Sequence, residues 1–423
     1  MTESIIGLRK IDIVLLAIIL AVGIFLRITP HAFSPGASLH FLAPFHPSPA
    51  FHDIGFDEGL YRKYANAIAE DGFGAYPGIV QAYIEAQKEK LGSILPPVRF
   101  LFIFTAYLWH SLFGTETLEG LHQIASVFSM LTLALATFFA WRIRGPMWAT
   151  GIAALMGFAP TQLHMSQHAL VDGFFTFWAL LVLWLFWENL QAPRDWRWLT
   201  GYIVALALLV LTKENSFFVW VALLALLLAN RWLQFGTVTR ELVIATALGP
   251  LLGVVVLIFL AGGIDTLVQC YRLSIGKNFE LRYAILTGDG PWYRYLVDLM
   301  LVSPIVLLLA LGTVFRLKRP MKPEWFMSIF ITASYLIMCN LKYGMNLRYA
   351  NMWDMPLRVL AFSQIVAMAS LANKYRTAII TGAVVLLAAF EFRQYIVLTV
   401  RYPLYELISH DLLQALKILK TPY

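Results

Sequence analysis

Residues 241–262 read ELVIATALGPLLGVVVLIFLAG, a run whose only charged side chain is Glu241. A helix needs about 20 mostly apolar residues to cross a lipid bilayer, so this run predicts a membrane span. The rest of the chain has the same character, since 59% of its 423 residues are hydrophobic and only 13% are charged. Soluble domains contain about 25% charged residues. The composition therefore argues against a soluble enzyme and predicts an all-α integral membrane protein.

Ten other apolar runs have a comparable length, and together with 241–262 they predict a bundle of about eleven transmembrane helices. The ten runs are approximately 11–26, 121–141, 147–163, 169–188, 198–212, 216–230, 295–315, 325–340, 356–372 and 377–391.

One further apolar segment, 98–113, decides the predicted topology. If it lies at the membrane surface, the short loops on one side carry 14 basic and six acidic residues, whereas the charges on the other side nearly balance. Cytoplasmic loops are enriched in Lys and Arg. We therefore predict an interfacial helix at 98–113, a cytoplasmic N-terminus and a first span that acts as an uncleaved signal-anchor.

This topology divides the chain into a transmembrane domain, 1–391, and a short outer tail, 392–423. Within the domain, the first outer loop, 27–120, is too long to be a simple connector and is expected to contain interfacial helices. Loops of that length usually carry function.

The first outer loop contains most of the outer acidic residues. Its segment 52–72 reads HDIGFDEGLYRKYANAIAEDG, in which Asp57 can cap a helix that runs from Glu58 to about Ala69. Asp57 and Tyr61 lie four residues apart and share a helix face, whereas Glu58 points about 100° away. From these residues alone, Asp57 is either a helix cap or an acid at a functional site.

Cations suited to phosphate lie on the same outer side. Lys213 lies between two spans, and Lys342, Arg348 and Tyr349 lie in the polar insert before the tenth span. Arginine offers a planar fork that binds phosphate through two hydrogen bonds, although such cations can instead extend to lipid headgroups. An acid just inside a span, such as Asp172, tends to face the bundle interior. Together they suit a reaction on a lipid-borne phosphate.

Two other patterns have weaker implications. Pro97 precedes the helix predicted over 98–113 and suits its first position, where the missing N–H costs nothing. His164 and His168 are four residues apart, which makes half of a metal site. No Walker-type loop, zinc motif or nucleophile elbow occurs in the sequence, so ATP-driven transport and hydrolase chemistry lack support.

Six motifs resemble those of the GT-C membrane glycosyltransferases, and within them the protein O-mannosyltransferase and lipid A aminoarabinose transferase branch. They follow the order and predicted membrane side of that family. The motifs are FDEGLY at 56–61, LPPVRF at 95–100, ALVDGFFTFW at 169–178, LTKENS at 211–216, GDGPWYRYLVDL at 288–299 and NLRYANMWDMPL at 346–357.

The resemblance implies an enzyme that moves one sugar, with inversion, from a polyprenyl-phosphate donor to a lipid, glycan or protein acceptor. Its site would face the periplasm or exterior of a bacterial inner or archaeal cell membrane. Besides donor and acceptor its partners would be membrane lipids, and no nucleic acid is expected. Some members of the family use a divalent cation, Mg or Mn.

The same resemblance assigns roles to individual residues. Asp57 would be the catalytic base, with Glu58 as a second catalytic residue. The donor phosphate would be held by Lys213, Lys342, Arg348 and Tyr349. Tyr61, Asp172 and Pro97 would line the substrate, and Asp57 and Asp172 would hold the cation.

The chain also departs from the family. The aminoarabinose transferases and oligosaccharyltransferases carry a large outer C-terminal domain, whereas about 30 residues follow the last predicted span in this sequence. LPPV lacks the usual preceding His or Lys. The sequence therefore does not specify the acceptor, and a lipid or lipid-linked-sugar transporter without catalysis is the alternative.

The interfacial position of 98–113 predicts the side on which Gly145 lies. A cysteine introduced near Gly145 should resist a membrane-impermeant maleimide in intact cells and react after permeabilisation. A cysteine in the 27–120 loop is the control that should react in both. Labelling near Gly145 from outside would instead make 98–113 a span and move every later loop to the opposite side.

Overall fold

The computed structural model describes residues 10–47 and 56–419, and every regular element in these ranges is helical. The helices are α1 (Lys10–Phe25), α2 (Phe56–Asp71), α3 (Tyr76–Glu89), α4 (Phe100–Phe113), α5 (Thr117–Arg144), α6 (Pro146–Gly157), α7 (Pro160–Ser166), α8 (Val171–Gln191), α9 (Trp196–Val210), α10 (Ser216–Leu233), α11 (Arg240–Leu260), α12 (Ile264–Asn278), α13 (Arg282–Gly288), α14 (Arg294–Val302), α15 (Pro304–Phe315), α16 (Lys322–Met338), α17 (Asp354–Ala369), α18 (Arg376–Tyr395) and α19 (Ser409–Ala415). A 3-10 helix, Leu347–Trp353, precedes α17, and a π-helical segment, Ile396–Arg401, extends α18.

Helices occupy all eleven predicted runs. Two runs are divided at a proline, which cannot donate the hydrogen bond that continues a helix. Pro160 starts α7 after the end of α6, and Pro304 starts α15 after the end of α14. Among the described residues, five helices are long and apolar enough to cross a membrane, namely α5, α8, α10, α11 and α18 with its π-helical extension. The chain is an all-α integral membrane protein, as its composition predicts.

Helix α8 connects two ends of the bundle, and each end has its own set of ion pairs. At its C-terminal end, Glu188 accepts hydrogen bonds of 2.8 and 2.7 Å from Arg142, and Arg144 donates two of 2.8 and 2.7 Å to Glu324. Asp172 lies in the first turn of α8, which at 1.5 Å per residue is about 24 Å from Glu188. The Arg142 pair and Asp172 therefore lie at opposite ends.

Helix α4 begins and ends near the Asp172 end. The backbone N–H of Leu101 donates to the carbonyl of Leu211 at 2.8 Å, just before Lys213. Near the other end of α4, the indole of Trp109 donates to Gln123 in the second turn of α5 at 2.7 Å. From there α5 runs to Arg142, so α5, and not α4, connects the two ends. The position of α4 in the membrane interface stays a prediction.

A cluster of buried apolar side chains packs α2, α3 and α4 against this end of the bundle. The ring of Tyr61 in α2 packs edge-on against Phe102 of α4, with 5.0 Å between ring centres. Phe102 in turn lies 5.4 Å from Phe174 of α8. Because aromatic contacts of this kind stabilise packing, they hold the second turn of α2 against α4, and α4 against the first turn of α8.

The prediction that Pro97 occupies the first position of a helix was wrong. Helix α4 begins at Phe100, whereas Pro97 lies in a buried turn before it. The carbonyl oxygen of Pro97 accepts a hydrogen bond of 2.5 Å from the hydroxyl of Tyr76. Between Pro97 and Phe100, Arg99 has non-helical backbone angles, φ −79° and ψ 55°. Its guanidinium binds Glu214 and Tyr61, and these contacts hold the chain out of the helix before Phe100.

Arg27 is fully buried where α1, α5 and α6 meet. Its guanidinium donates to Ser129 Oγ at 3.0 Å and to the carbonyls of Gly23, Met156 and Gly157 at 2.7, 2.8 and 3.1 Å. A buried charge is tolerated only when its donors find acceptors. Arg27 therefore joins three helices through one side chain.

Arg27→Ala should destabilise the bundle, because it leaves buried acceptors without donors and opens a cavity. We expect a loss of about 2–3 kcal/mol, which in a chain of this size lowers the melting temperature by roughly 2–3 °C. Thermal unfolding followed by tryptophan fluorescence in detergent measures the change. Arg197→Ala removes an exposed arginine and is the matched control. Equal melting temperatures for the two variants would contradict this role of Arg27.

Candidate functional site

Charged side chains from five separate segments meet at the Asp172 end of the bundle. They come from the first turns of α2 and α8, the α9–α10 loop, the 3-10 helix before α17, and the segment between the π-helical extension and α19. In that order the residues are Asp57, Asp172, Lys213, Arg348 and Glu406.

Arg348 lies at the centre of this cluster and faces three carboxylates. Its Nη2 donates to Asp57 Oδ2 at 2.8 Å, Nη1 lies 3.2 Å from Glu406 Oε1, and Nε lies 3.5 Å from Asp172 Oδ2. Burial alone would lower the pKa of Arg348, but Glu406 and the other acids outweigh it and raise the pKa well above its usual value. The guanidinium therefore stays charged although the side chain is only 6% exposed.

Lys213 is the second cation of the cluster. Its Nζ donates to Asp172 Oδ1 at 2.5 Å and lies 3.9 Å from the centre of the Tyr349 ring. The guanidinium carbon of Arg348 lies 5.3 Å from the same ring. Burial lowers the pKa of Lys213 to about 8, with Asp172 opposing the shift. Two cations thus share one carboxylate and one aromatic ring.

Local hydrogen bonds hold the segment that presents Arg348 and Tyr349. The side-chain oxygen of Asn346 accepts the backbone N–H of Arg348 at 3.0 Å and starts the 3-10 helix. Farther along, the amide of Gln162 donates to Asn351 at 2.5 Å and to Asp354 at 3.0 Å. The segment is therefore fixed at both ends.

A second ion pair lies beside the cluster. Arg99 Nη2 and Nε donate to the two oxygens of Glu214 at 2.5 and 3.2 Å, and Arg99 Nη1 donates to the phenol oxygen of Tyr61 at 2.7 Å. Burial would raise the pKa of Glu214, but Arg99 overrides it and lowers the pKa to about 2. Tyr61, predicted to line the substrate, is fully buried in this arrangement.

Glu58 points away from Asp57, as the helical spacing predicts. One of its oxygens accepts the backbone N–H of Ala169 at 2.9 Å and lies 3.3 Å from His168 Nδ1. The other oxygen lies 4.0 Å from His122 Nε2. These contacts tie α2 to the segment that leads into α8, and hence to Asp172.

The cap predicted at Asp57 was wrong. Helix α2 begins at Phe56, so Asp57 lies in its first turn and its carboxylate binds Arg348. The helix also extends to Asp71, beyond the predicted end at Ala69. A charged partner from a distant part of the chain competes for the carboxylate that would otherwise bind the local backbone.

Lys342 and the two histidines lie away from the contacts of the cluster. Lys342 is exposed on the turn that precedes Asn346, and no contact recorded in the described ranges joins it to Arg348. The rings of His164 and His168 lie 4.4 Å apart. No group of three or more His, Cys, Asp or Glu residues in the described ranges is arranged to hold a metal ion.

Asp57 and Asp172 do not fit a shared divalent cation in this arrangement. Arg348 contacts both of them, and the two oxygens of Asp172 already face Lys213 and Arg348. A metal between the two acids would have to displace the guanidinium. The use of a divalent cation by this protein stays a prediction.

Sequence reasoning assigned no role to Arg99 or Glu406. Arg99 lies in the LPPVRF motif, two residues after Pro97. Glu406 is the only acid in the stretch VRYPLYELIS, after the last predicted span. An isolated acid among apolar residues was the available signal, because a buried carboxylate requires a partner.

Comparisons with known proteins give little from sequence alone. No protein-family model matches the chain. A cytochrome c-type biogenesis protein, CcmF of Pseudomonas fluorescens, is 29% identical over 197 residues, which are 42% of this chain and 28% of that protein. Because the match spans under a third of that protein, it does not show a family.

Solved structures resemble the chain over nearly its whole length. ArnT from Cupriavidus metallidurans in the apo state matches 96% of this chain and 75% of its own, with a TM-score of 0.52 and 15% identity. The same protein bound to undecaprenyl phosphate matches 96% of this chain and 76% of its own, with a TM-score of 0.51 and 14% identity. A third structure is the archaeal oligosaccharyltransferase AglB from Archaeoglobus fulgidus in complex with an inhibitory peptide and a dolichol-phosphate. It matches 92% of this chain and 55% of its own, with a TM-score of 0.55 and 14% identity.

At these identities the likeness concerns the fold. This chain spans about three quarters of ArnT and just over half of AglB. The fold that the six motifs imply is thereby confirmed. The chain has the fold of ArnT and AglB.

Proposed function

We propose that the protein is a glycosyltransferase that moves one sugar from a polyprenyl-phosphate donor to a hydroxyl of a lipid, glycan or protein acceptor. The observation that carries the proposal is a buried cation, Arg348, directly beside Asp57, with a second buried cation, Lys213, on the Asp172 carboxylate that Arg348 also faces. Cations suit the donor phosphate, and a carboxylate suits the acceptor proton. The GT-C fold is the context in which this pairing is expected.

The lipid-linked donor is supported by two neighbours, since ArnT was solved with undecaprenyl phosphate and AglB with a dolichol-phosphate. In the proposed reaction the bond between the anomeric carbon and the phosphate oxygen breaks. Negative charge then develops on the departing phosphate, where Lys213 and Arg348 stabilise it. Tyr349 lies against both cations and orients them.

Asp57 suits the role of general base. Its side chain is 19% exposed, whereas those of Asp172 and Glu406 are 4% and 8% exposed. It is therefore the carboxylate on Arg348 that an acceptor reaches most readily. It takes the acceptor proton while the acceptor oxygen attacks the anomeric carbon opposite the leaving phosphate, which inverts the configuration. Glu58, buried on the Ala169 N–H, acts as a positioning residue.

The site is proposed to face the periplasm or cell exterior, at the end of the bundle opposite Arg142 and Arg144. This assignment follows from the excess of basic residues in the short loops at the Arg142 end. The donor's polyprenyl tail would stay in the membrane while its phosphate reaches the cluster from the side.

Asp57→Asn should abolish sugar transfer by the purified protein while leaving its fold intact. Loss of a general base costs about 10²–10⁴-fold in rate. A panel of polyprenyl-phosphate sugars, with crude membrane lipid as acceptor, measures transfer and identifies the donor. Glu89→Gln, at an exposed acid, is the matched control.

Two outcomes of this experiment separate the candidate functions. Transfer by the wild type and Glu89→Gln, but not by Asp57→Asn, supports the transferase. Negligible turnover by all three proteins, with donor binding retained, favours the transporter or a missing partner subunit, and the catalytic role of Asp57 would then fall.

Donor binding should weaken as the pH rises through about 8. Burial lowers the pKa of Lys213 to about 8, so its charge is complete below that pH and lost above it. A phosphodiester-linked sugar keeps its single negative charge over this range, and the change therefore reports on the protein. We expect donor affinity to fall several-fold between pH 7 and pH 9.

Lys213→Arg provides the control for this pH dependence, because a guanidinium stays charged throughout the range. Binding of a radiolabelled donor at pH 7, 8 and 9 should then become nearly independent of pH. Identical pH profiles for the wild type and Lys213→Arg would show that Lys213 does not hold the phosphate.

A further inference from the structure

Glu406 contacts Arg348 from a part of the chain that the proposed reaction does not use. It lies between the π-helical segment and α19, and its side chain is buried. The carboxylate accepts the hydroxyl of Tyr283 at 2.9 Å and the side-chain amide of Asn346, and it lies 3.2 Å from Arg348 Nη1. Three segments far apart in sequence thus meet at one carboxylate.

These contacts reach Arg348 through its backbone as well as its side chain. The oxygen of Asn346 accepts the backbone N–H of Arg348, and the amide of the same side chain donates to Glu406. The backbone N–H of Leu347 also donates to the carbonyl of Leu407 at 3.4 Å. Glu406 and its neighbour Leu407 therefore hold the two residues that precede Arg348 as well as its guanidinium.

The direction of the contacts matters for the guanidinium fork. Nη1 is the nitrogen that faces Glu406, whereas Nη2 and Nε face Asp57 and Asp172. An arginine fork is planar and rigid, so fixing one nitrogen fixes the other two. The contact of Nη1 with Glu406 therefore leaves Nη2 and Nε directed toward Asp57 and Asp172.

We infer that Glu406 is a positioning residue that orients the Arg348 guanidinium toward the donor phosphate, and that the C-terminal segment is thereby part of the site. Glu406 itself touches neither substrate. The inference rests on the proposed function, because the phosphate is the group that Arg348 is oriented to receive.

The test is a double-mutant cycle between Glu406 and Arg348 in the full-length protein, with undecaprenyl phosphate as the probe. Glu406→Ala should raise the Kd for the probe about tenfold, and Glu406→Gln, which keeps one acceptor oxygen but lacks the second one and the charge, should restore only part of that loss. Arg348→Lys lacks the planar fork. In the Arg348→Lys background, Glu406→Ala should therefore raise the Kd by less than about twofold.

A merely structural role would give a different pattern. If Glu406 only held the C-terminal segment on the bundle, Glu406→Ala would weaken binding equally in both backgrounds. That result, or an unchanged Kd in Glu406→Ala, overturns the inference. Glu280→Ala, at an exposed acid in an outer segment, is the matched control and should bind as the wild type does.

Two further measurements keep the outcomes separate. Where Glu406→Ala does not fold, Tyr283→Phe removes only one support of Glu406 and should raise the Kd two- to threefold in the wild type but not in Arg348→Lys. Equal effects in both backgrounds would again overturn the inference. Wild-type protein that does not bind the lipid phosphate at all would refute the proposed function, and with it the inference. Binding by the wild type and equally by Glu406→Ala refutes the inference alone.

Discussion

The contact between the Arg348 guanidinium and three carboxylates is the interaction on which this end of the molecule depends. Asp57, Asp172 and Glu406 come from α2, α8 and the C-terminal segment, which share no local sequence relation. None of these charges would be tolerated where it lies without an opposite charge, since removing one partner of a buried ion pair costs about 3–5 kcal/mol. The cation thus dictates where three distant segments must meet, and the rest of the bundle has to bring them there.

The bundle achieves this by separating two kinds of charge. At one end, Arg142 and Arg144 pair one-to-one with Glu188 and Glu324, and these pairs lock the ends of α5, α8 and α16 together. At the other end, charges share partners, as Lys213 and Arg348 share Asp172. One-to-one pairs give a rigid scaffold. Shared partners leave a group that can exchange one ligand for another, which is what binding and catalysis require.

Sequence reasoning predicted the helices well because hydropathy is a local property, and an apolar run such as 241–262 forms a helix in a membrane whatever surrounds it. It also placed Asp57, Asp172, Lys213 and Arg348 on one side of the membrane, and the structure brings those four together. The cap at Asp57 and the helix start at Pro97 were wrong for one reason. Asp57 binds Arg348, which lies 291 residues later in the chain, and Arg99, next to the expected helix start, binds Glu214, 115 residues later. Rules based on neighbouring residues do not include such distant partners. Glu406 was missed because its partner Arg348 lies 58 residues earlier in the chain.

The shared-partner cluster also has a consequence for the arrival of a charged ligand. Three acids and two cations sum to one net negative charge among the described members of the cluster. A donor phosphodiester would add another negative charge in a largely buried place, where like charges repel strongly. Entry of the donor is therefore expected to draw in a positive charge, carried by a proton or by a metal ion. The charge balance of the cluster would thereby couple binding of the proposed donor to the uptake of a proton or a metal ion.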